Sequence, residues 1–243
     1  MAAGVCTRAL LLRLDQPASI ARAFARLQQW QIDSLAGLVN CAAVTQPKPL
    51  ELAALSDVRQ TFEINVFGAL DVVQRALPLL RAAMGRIVLV SSTSGSVGVP
   101  LLGAYSASKF ALEALADVLR RELAGWKIGV SLVIPGGIKT AMIDRQLDEI
   151  DADLKQLREG LEAQYAQQYR QHRTVIELAA KSAVPPSQVA DDVLRALTDT
   201  TPKARYLCGL PSKATRTMRR LLPDAVLDRM FDYLPASADN KSR

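Results

Sequence analysis

The chain has 243 residues, 49% apolar and 22% charged, with a net charge of +6. That balance excludes a disordered chain, and no apolar run approaches the ~18 to 20 residues that span a bilayer. A single histidine, His172, excludes a Ser-His-Asp triad and a histidine metal site; three cysteines, Cys6, Cys41 and Cys208, lack metal-ligand spacing and point to a reduced, cytoplasmic setting.

Met1 to Leu14 is not a signal peptide by pattern, because Arg8 and Arg13 interrupt its apolar core. Pro17 to Trp30 reads as a helix with Ile20, Phe24 and Leu27 on one stripe, and Leu35 to Val39 as a strand. Leu55 to Leu80 reads as one long helix containing Asn65. Asparagine has an indifferent helix propensity, so Asn65 needs a reason, the plain one being a hydrogen bond to a neighbouring turn. Arg86 to Val90 is a continuous apolar strand suited to burial on both faces. Tyr105 to Leu123 is a helix, and Val130 to Ile134 a strand stopped by Pro135 and Gly136. Thr140 to Pro185 is a long helix-forming excursion, whose polar part includes His172, read as solvated. Val189 to Leu197 is a helix and Arg205 to Cys208 a last strand. Met218 to Leu234 carries an apolar pattern broken by Pro223 and suited to docking on the domain, and 236–243 reads as a flexible tail.

Alternating strands and helices predict one α/β domain over 1–243, a Rossmann-like, doubly wound parallel sheet. Lys213 to Arg220 is basic but lacks interleaved aromatics. It reads as a solvated helix face, and neither nucleic acid nor a membrane is expected as a partner.

Ser92, Tyr105 and Lys109 stand at spacings of thirteen and four residues. Four residues is slightly more than one helical turn, so Tyr105 and Lys109 project from one face. An ammonium beside a phenol favours the phenolate and brings its pKa toward the working pH. Ser92 then holds a substrate oxygen while Tyr105 gives or takes the proton. No side chain supplies a hydride, so a nicotinamide must. Cys41 follows a strand and reads as a small buried hydrophobe rather than a redox sensor.

Four blocks in this order carry a resemblance: Leu38-Val39-Asn40-Cys41-Ala42-Ala43, Ile64-Asn65-Val66-Phe67-Gly68, the Ser92/Tyr105/Lys109 set, and Pro135-Gly136-Gly137-Ile138-Lys139-Thr140. Together they resemble the short-chain dehydrogenase/reductase family, from about Leu10 to Gly209. The resemblance implies Tyr105 as catalytic acid/base, Ser92 as the group polarising the substrate oxygen, and Lys109 as pKa-lowering charge and ribose ligand. It implies that Asn65 anchors a relay water. It also implies a cofactor lined by Asn40, Pro135, Gly136, Ile138 and Thr140, and an oligomer contact through the helix 105–123. The cofactor is NAD or NADP, and the substrate a small alcohol or carbonyl compound. Family members with small acyl substrates have a shorter segment where this chain has 141–185. A helical lid there suits a bulky apolar substrate such as a steroid, retinoid or long-chain acyl carbonyl; its polar stretch equally suits an oligomer contact or a solvent-facing helix.

The family opens on a strand, a glycine-rich turn and a helix with no counterpart in this sequence. The run Ala9 to Leu14, ending in Asp15, resembles the family's third strand, whose aspartate contacts the adenine. The expectation is therefore an N-terminally truncated fold without the first two strands and first helix, with Leu35–Val39 as an exposed edge. NAD and NADP cannot be told apart on what remains. Two readings stay open: an NAD(P)-dependent oxidoreductase, or a cofactor-poor protein acting as a non-catalytic binding or interaction module.

Overall fold

The computed structural model describes residues 7–157 and 161–232. Helix α1 (Pro17–Gln29) opens on a proline in its first turn, where the missing N–H costs nothing, and buries Ile20 and Ala23. Strand β1 (Gly37–Asn40) leads to α2 (Leu55–Phe62), a π-helical turn (Glu63–Gly68) and α3 (Ala69–Ala83). Then come β2 (Arg86–Val90), α4 (Gly103–Glu122) and β3 (Gly129–Pro135). Helices α5 (Ala141–Gln156), α6 (Leu161–Gln164), α7 (Ala166–Lys181) and α8 (Pro186–Thr198) precede β4 (Arg205–Cys208). Helices α9 (Gly209–Leu221) and α10 (Asp224–Asp232) follow.

The strands form a parallel sheet in the order β1-β2-β3-β4, with Val39 beside Val88, Leu89 beside Leu132 and Val133 beside Tyr206. Side chains alternate across it, so Ile87, Leu89, Leu132 and Ile134 meet α3 and α4 on one face, where Val73, Leu80, Leu112 and Leu119 cover them. Val88 and Val133 meet Val189, Val193 and Leu197 of α8 on the other. Each such aliphatic chain, fully buried, contributes about 1.5–3 kcal/mol of transfer free energy, which makes the β2–β3 pair the best-held part of the sheet. This is the doubly wound, Rossmann-like α/β architecture expected of the sequence.

Two stretches depart from expectation. The run Ala9–Leu14 forms no strand, and Leu11 is 88% exposed. A strand needs a neighbour to satisfy its N–H and C=O groups, and no described strand pairs with this run. It crosses the π-helical turn instead: a Cβ on Gly68 would fall 2.3 Å from the Leu14 carbonyl oxygen. Among the described strands β1 is therefore an edge, with Val39 37% exposed. The helix expected from Leu55 to Leu80 is split by the π-helical turn, whose wider winding lets Asn65 point to the neighbouring loop while Val66 and Ala69 stay in the core. Cys6, Leu234 and the 236–243 tail lie outside the described residues. No helix among the described residues is long and apolar enough to cross a membrane.

Candidate active site

β2 delivers Ser91 and Ser92 to its carboxyl end, where parallel sheets of this kind place their ligands. Ser92 is extended, and its hydroxyl oxygen accepts the Ser94 N–H at 3.2 Å, capping the short helical turn Thr93–Gly95. A Cβ on Gly95 would lie 2.8 Å from Ser91 Oγ, so the turn closes this tightly only with glycine. Helix α4 then turns Tyr105, Ser108, Lys109, Leu112 and Glu113 inward as one stripe. Ser92, Tyr105 and Lys109 line a single cavity of about 620 Å³.

Tyr105 is 9% exposed and Lys109 2%. The Lys109 ammonium lies 5.6 Å from the centroid of the Tyr105 ring and donates to the Val90 carbonyl at 2.9 Å. Burial pushes the phenol above its ordinary pKa, and a hydrogen bond with Ser92 pulls it partway back. Burial also drags the ammonium down to about 8, with the nearby Cys41 thiol opposing. The expected lowering of the Tyr105 pKa is thus reversed: desolvation of the phenolate outweighs the favourable contacts. Cys41 is also corrected. It is exposed and lines the same cavity, because it leaves the sheet at its edge strand.

Asn65 is 1% exposed. Its side-chain oxygen accepts the Val44 N–H at 2.8 Å, and its amide donates to the Val44 carbonyl at 2.9 Å and to Ser108 Oγ at 3.0 Å. Ser108 donates in turn to the Tyr105 carbonyl at 2.7 Å. The side chain therefore ties the loop after β1 to the helix that carries Tyr105, the plain reason weighed from sequence.

Pro135, Gly136, Ile138 and Thr140 line the cavity. Gly137 has a different necessity: its Cβ would fall 2.8 Å from the Ala179 carbonyl oxygen of α7. The turn is stitched to the end of that helix, with Lys139 N–H donating to Val184 O and Val184 N–H to Gly137 O, both at 3.0 Å. Asn40 is buried behind the site, its side-chain oxygen accepting the Ala42 N–H at 3.2 Å. Asp15 is not brought to the cavity. It pairs at the surface with Arg13 at 2.8 Å, which holds its carboxyl below the usual range.

The excursion between β3 and β4 roofs the cavity. Helix α7 turns His172, Val175, Ile176 and Ala179 toward it at helical spacing, and α8 turns Pro186, Val189, Ala190 and Val193. Arg173 of α7 faces outward and grips Asp151 of α5 at 2.7 Å, while Tyr169, 1% exposed, donates from the interior to Asp153 at 2.9 Å. Read as solvated, His172 is in fact 5% exposed. Its place in that apolar stripe was the available signal, obscured by the polar residues around it. Glu113 was also missed. One turn beyond Lys109 and 7% exposed, it accepts from Ser91 at 3.3 Å, Arg205 at 3.4 Å and Arg216 at 3.2 Å, mooring the serine turn. Among the described residues no cluster of histidine, cysteine or carboxylate side chains could hold a metal.

Residues 4–151 match the family described as short chain dehydrogenase. The chain is 35% identical over 228 residues to a 3-amino-tetrahydro-pyrrolizinone reductase of Xenorhabdus hominickii, covering 92% of this chain and 79% of that protein. It is 32% identical over 200 residues to retinol dehydrogenase 7 of Rattus norvegicus, covering 80% and 63%. Its fold is similar to that of a Burkholderia cenocepacia J2315 short chain dehydrogenase solved in complex with NADP, with a TM-score of 0.68, 22% identity, and coverage of 91% and 79%.

Proposed function

Because the chain belongs to the short-chain dehydrogenase/reductase family, and so is an NAD(P)-dependent oxidoreductase, we propose that it interconverts an alcohol and a carbonyl on a bulky apolar substrate. The observation that carries this reading is the convergence of Ser92, Tyr105 and Lys109 on a cavity whose roof is largely aliphatic.

The residues suit a nicotinamide cofactor on the side of its nicotinamide ribose. Lys109 spends one of its three N–H donors on Val90 and keeps the others for a ligand's hydroxyls. The backbone of Pro135–Thr140 offers a wall against which the ring would lie. When bound, the nicotinamide supplies or takes up a hydride at the substrate carbon. Ser92 holds the substrate oxygen, and Tyr105 donates its proton to that oxygen in reduction or accepts it in oxidation. Lys109 favours the phenolate left after donation. Its ammonium is needed for this, so reduction is fastest below about pH 8 and declines as Lys109 loses its proton above it. Asn65 holds the surrounding loop and, through the backbone of its π-helical turn, serves a relay water. The exposed Phe110 and Val118 of α4 serve a homo-oligomer contact. Segment 141–185 acts as the substrate lid, and an apolar roof supports substrates of the size of a retinoid or steroid.

A second reading, a non-catalytic binding module, draws on the exposed edge at β1 and on Asp15, held by Arg13 away from the cavity. Titration with NADH and NADPH, following cofactor fluorescence, separates the two. Saturable binding is expected, with reduction of apolar aldehydes. Tyr105→Phe is expected to keep the binding and lose about 100- to 10,000-fold in kcat. No saturable binding, or a fully active Tyr105→Phe, overturns the enzymatic reading.

A further inference from the structure

Both tryptophans of the chain lie at one end of the molecule. Trp30 closes α1, Met84 closes α3, and Trp126 ends the short helical turn Leu123–Trp126 that extends α4. Each of these helices runs down to the amino end of a strand, and in the parallel register Gly37 stands beside Arg86 and Arg86 beside Gly129. Phe24 of α1 packs on the same core as the buried faces of α3 and α4, so the three helices form one layer. Their ends make a single row, opposite the carboxyl end of the sheet where Ser92 and Tyr105 lie.

Trp126 is 51% exposed and Met84 60%. The Arg81 guanidinium lies 4.7 Å from the centre of the Trp126 ring and joins the ends of α3 and α4, while those of Arg8 and Arg26 lie 5.0 and 5.5 Å from the Trp30 ring. Arg121 and Lys127 add two exposed cations, against the exposed carboxylates Asp33 and Glu122. Cations in the last turn of a helix complement its dipole, which accounts for Arg26 and Arg81. It does not account for the apolar groups between them. Met84 has a φ of 48°, a conformation that glycine adopts at less cost, so the turn itself asks for no methionine. Single exposed apolar side chains are ordinary; a row of them rimmed by charge marks a contact surface.

We propose that this end of the molecule docks on an anionic lipid surface. The indole rings and the thioether enter the boundary between headgroups and acyl chains, and the guanidinium groups meet lipid phosphates. Charge complementarity selects the occupant, since amphipathic rings set among cations fit a negatively charged interface. The contact is peripheral, leaves the cavity of Tyr105 and Ser92 on the far side, and does not depend on the reaction carried out there.

Because the chain has two tryptophans and both lie in this row, intrinsic emission reports on it alone. Full-length protein is mixed with vesicles of phosphatidylglycerol and phosphatidylcholine, and with vesicles of phosphatidylcholine alone. Co-sedimentation with the anionic vesicles is expected, with emission that moves to the blue and is quenched by lipids brominated on their acyl chains; high salt releases the protein. Arg81→Ala and Lys127→Ala should each weaken binding by about 5-fold. Lys213→Ala with Arg220→Ala, on α9 beyond the carboxyl end of β4, should leave it unchanged. The proposal is overturned by protein that stays in solution, by equal binding to both kinds of vesicle, by emission that ignores brominated lipid, or by loss of binding only in the α9 double variant. An emission shift that grows with protein concentration in the absence of lipid overturns it too, and assigns the row to a second copy of the chain.

Discussion

Lys109 keeps an ammonium where water barely reaches, and folding lowers its pKa from 10.5 to about 8. The charged form is the penalised one, so its full cost is present below pH 8. Between about 8 and 10.5 the unfolded chain binds the proton more tightly, and stability contributed by this group rises with pH. Lys109→Met removes the buried charge and one hydrogen bond. The net effect at pH 7 is a gain of about 2 kcal/mol, read as a higher urea midpoint whose advantage over wild type vanishes at about pH 9.5 and reverses above it. A variant less stable than wild type at pH 7 contradicts this account. The same substitution removes the cation beside Tyr105, and turnover falls by about 100-fold or more. Stability and chemistry therefore pull in opposite directions at this position. The thirteen-and-four spacing made these residues legible in the sequence. Their electrostatics were not, because desolvation depends on the lid and strands around them rather than on neighbours in the chain.

At the scale of elements, long helices and continuous apolar strands were readable from periodicity alone. The π-helical turn was not: its cause is the grip of Asn65 on Val44 and Ser108, 21 and 43 residues away in sequence. Segment 141–185 was legible as helix from its residues and as a lid only through the resemblance; its outward face was not legible, since Arg173 meets Asp151 22 residues upstream in sequence. Gly137 lies where the chain leaves β3 and passes close to the end of α7. In Gly137→Ala the new methyl meets the Ala179 carbonyl, a backbone atom that cannot swing aside, so α7 must shift. A destabilisation of about 1–3 kcal/mol is expected, together with a several-fold rise in KM for apolar carbonyls. An unchanged KM shows that the lid does not shape the substrate site.

For the whole molecule, buried apolar runs alternating with helices sufficed to foresee the parallel sheet. The fate of Ala9–Leu14 was beyond such reasoning, because a strand exists only where a partner offers its backbone. Helix α4 turns Tyr105 inward and Phe110 and Val118 outward, so an oligomer formed on its outer face would buttress the catalytic one. Phe110→Lys with Val118→Lys is expected to yield a monomer by light scattering where wild type runs larger; a monomeric wild type sinks this contact. The site also has a rear anchorage. Arg216 of α9 reaches Ser96 at 3.1 Å and Glu113 at 3.2 Å, while Ser212 donates to the Ile134 carbonyl at 2.6 Å. A piece ending at residue 151, where the family match stops, would hold Ser92, Tyr105 and Lys109 yet lose the clamps from α9. Anyone whittling this protein to a minimal catalyst must keep the chain through Leu221, since the candidate site is written in its first half and clamped by its second.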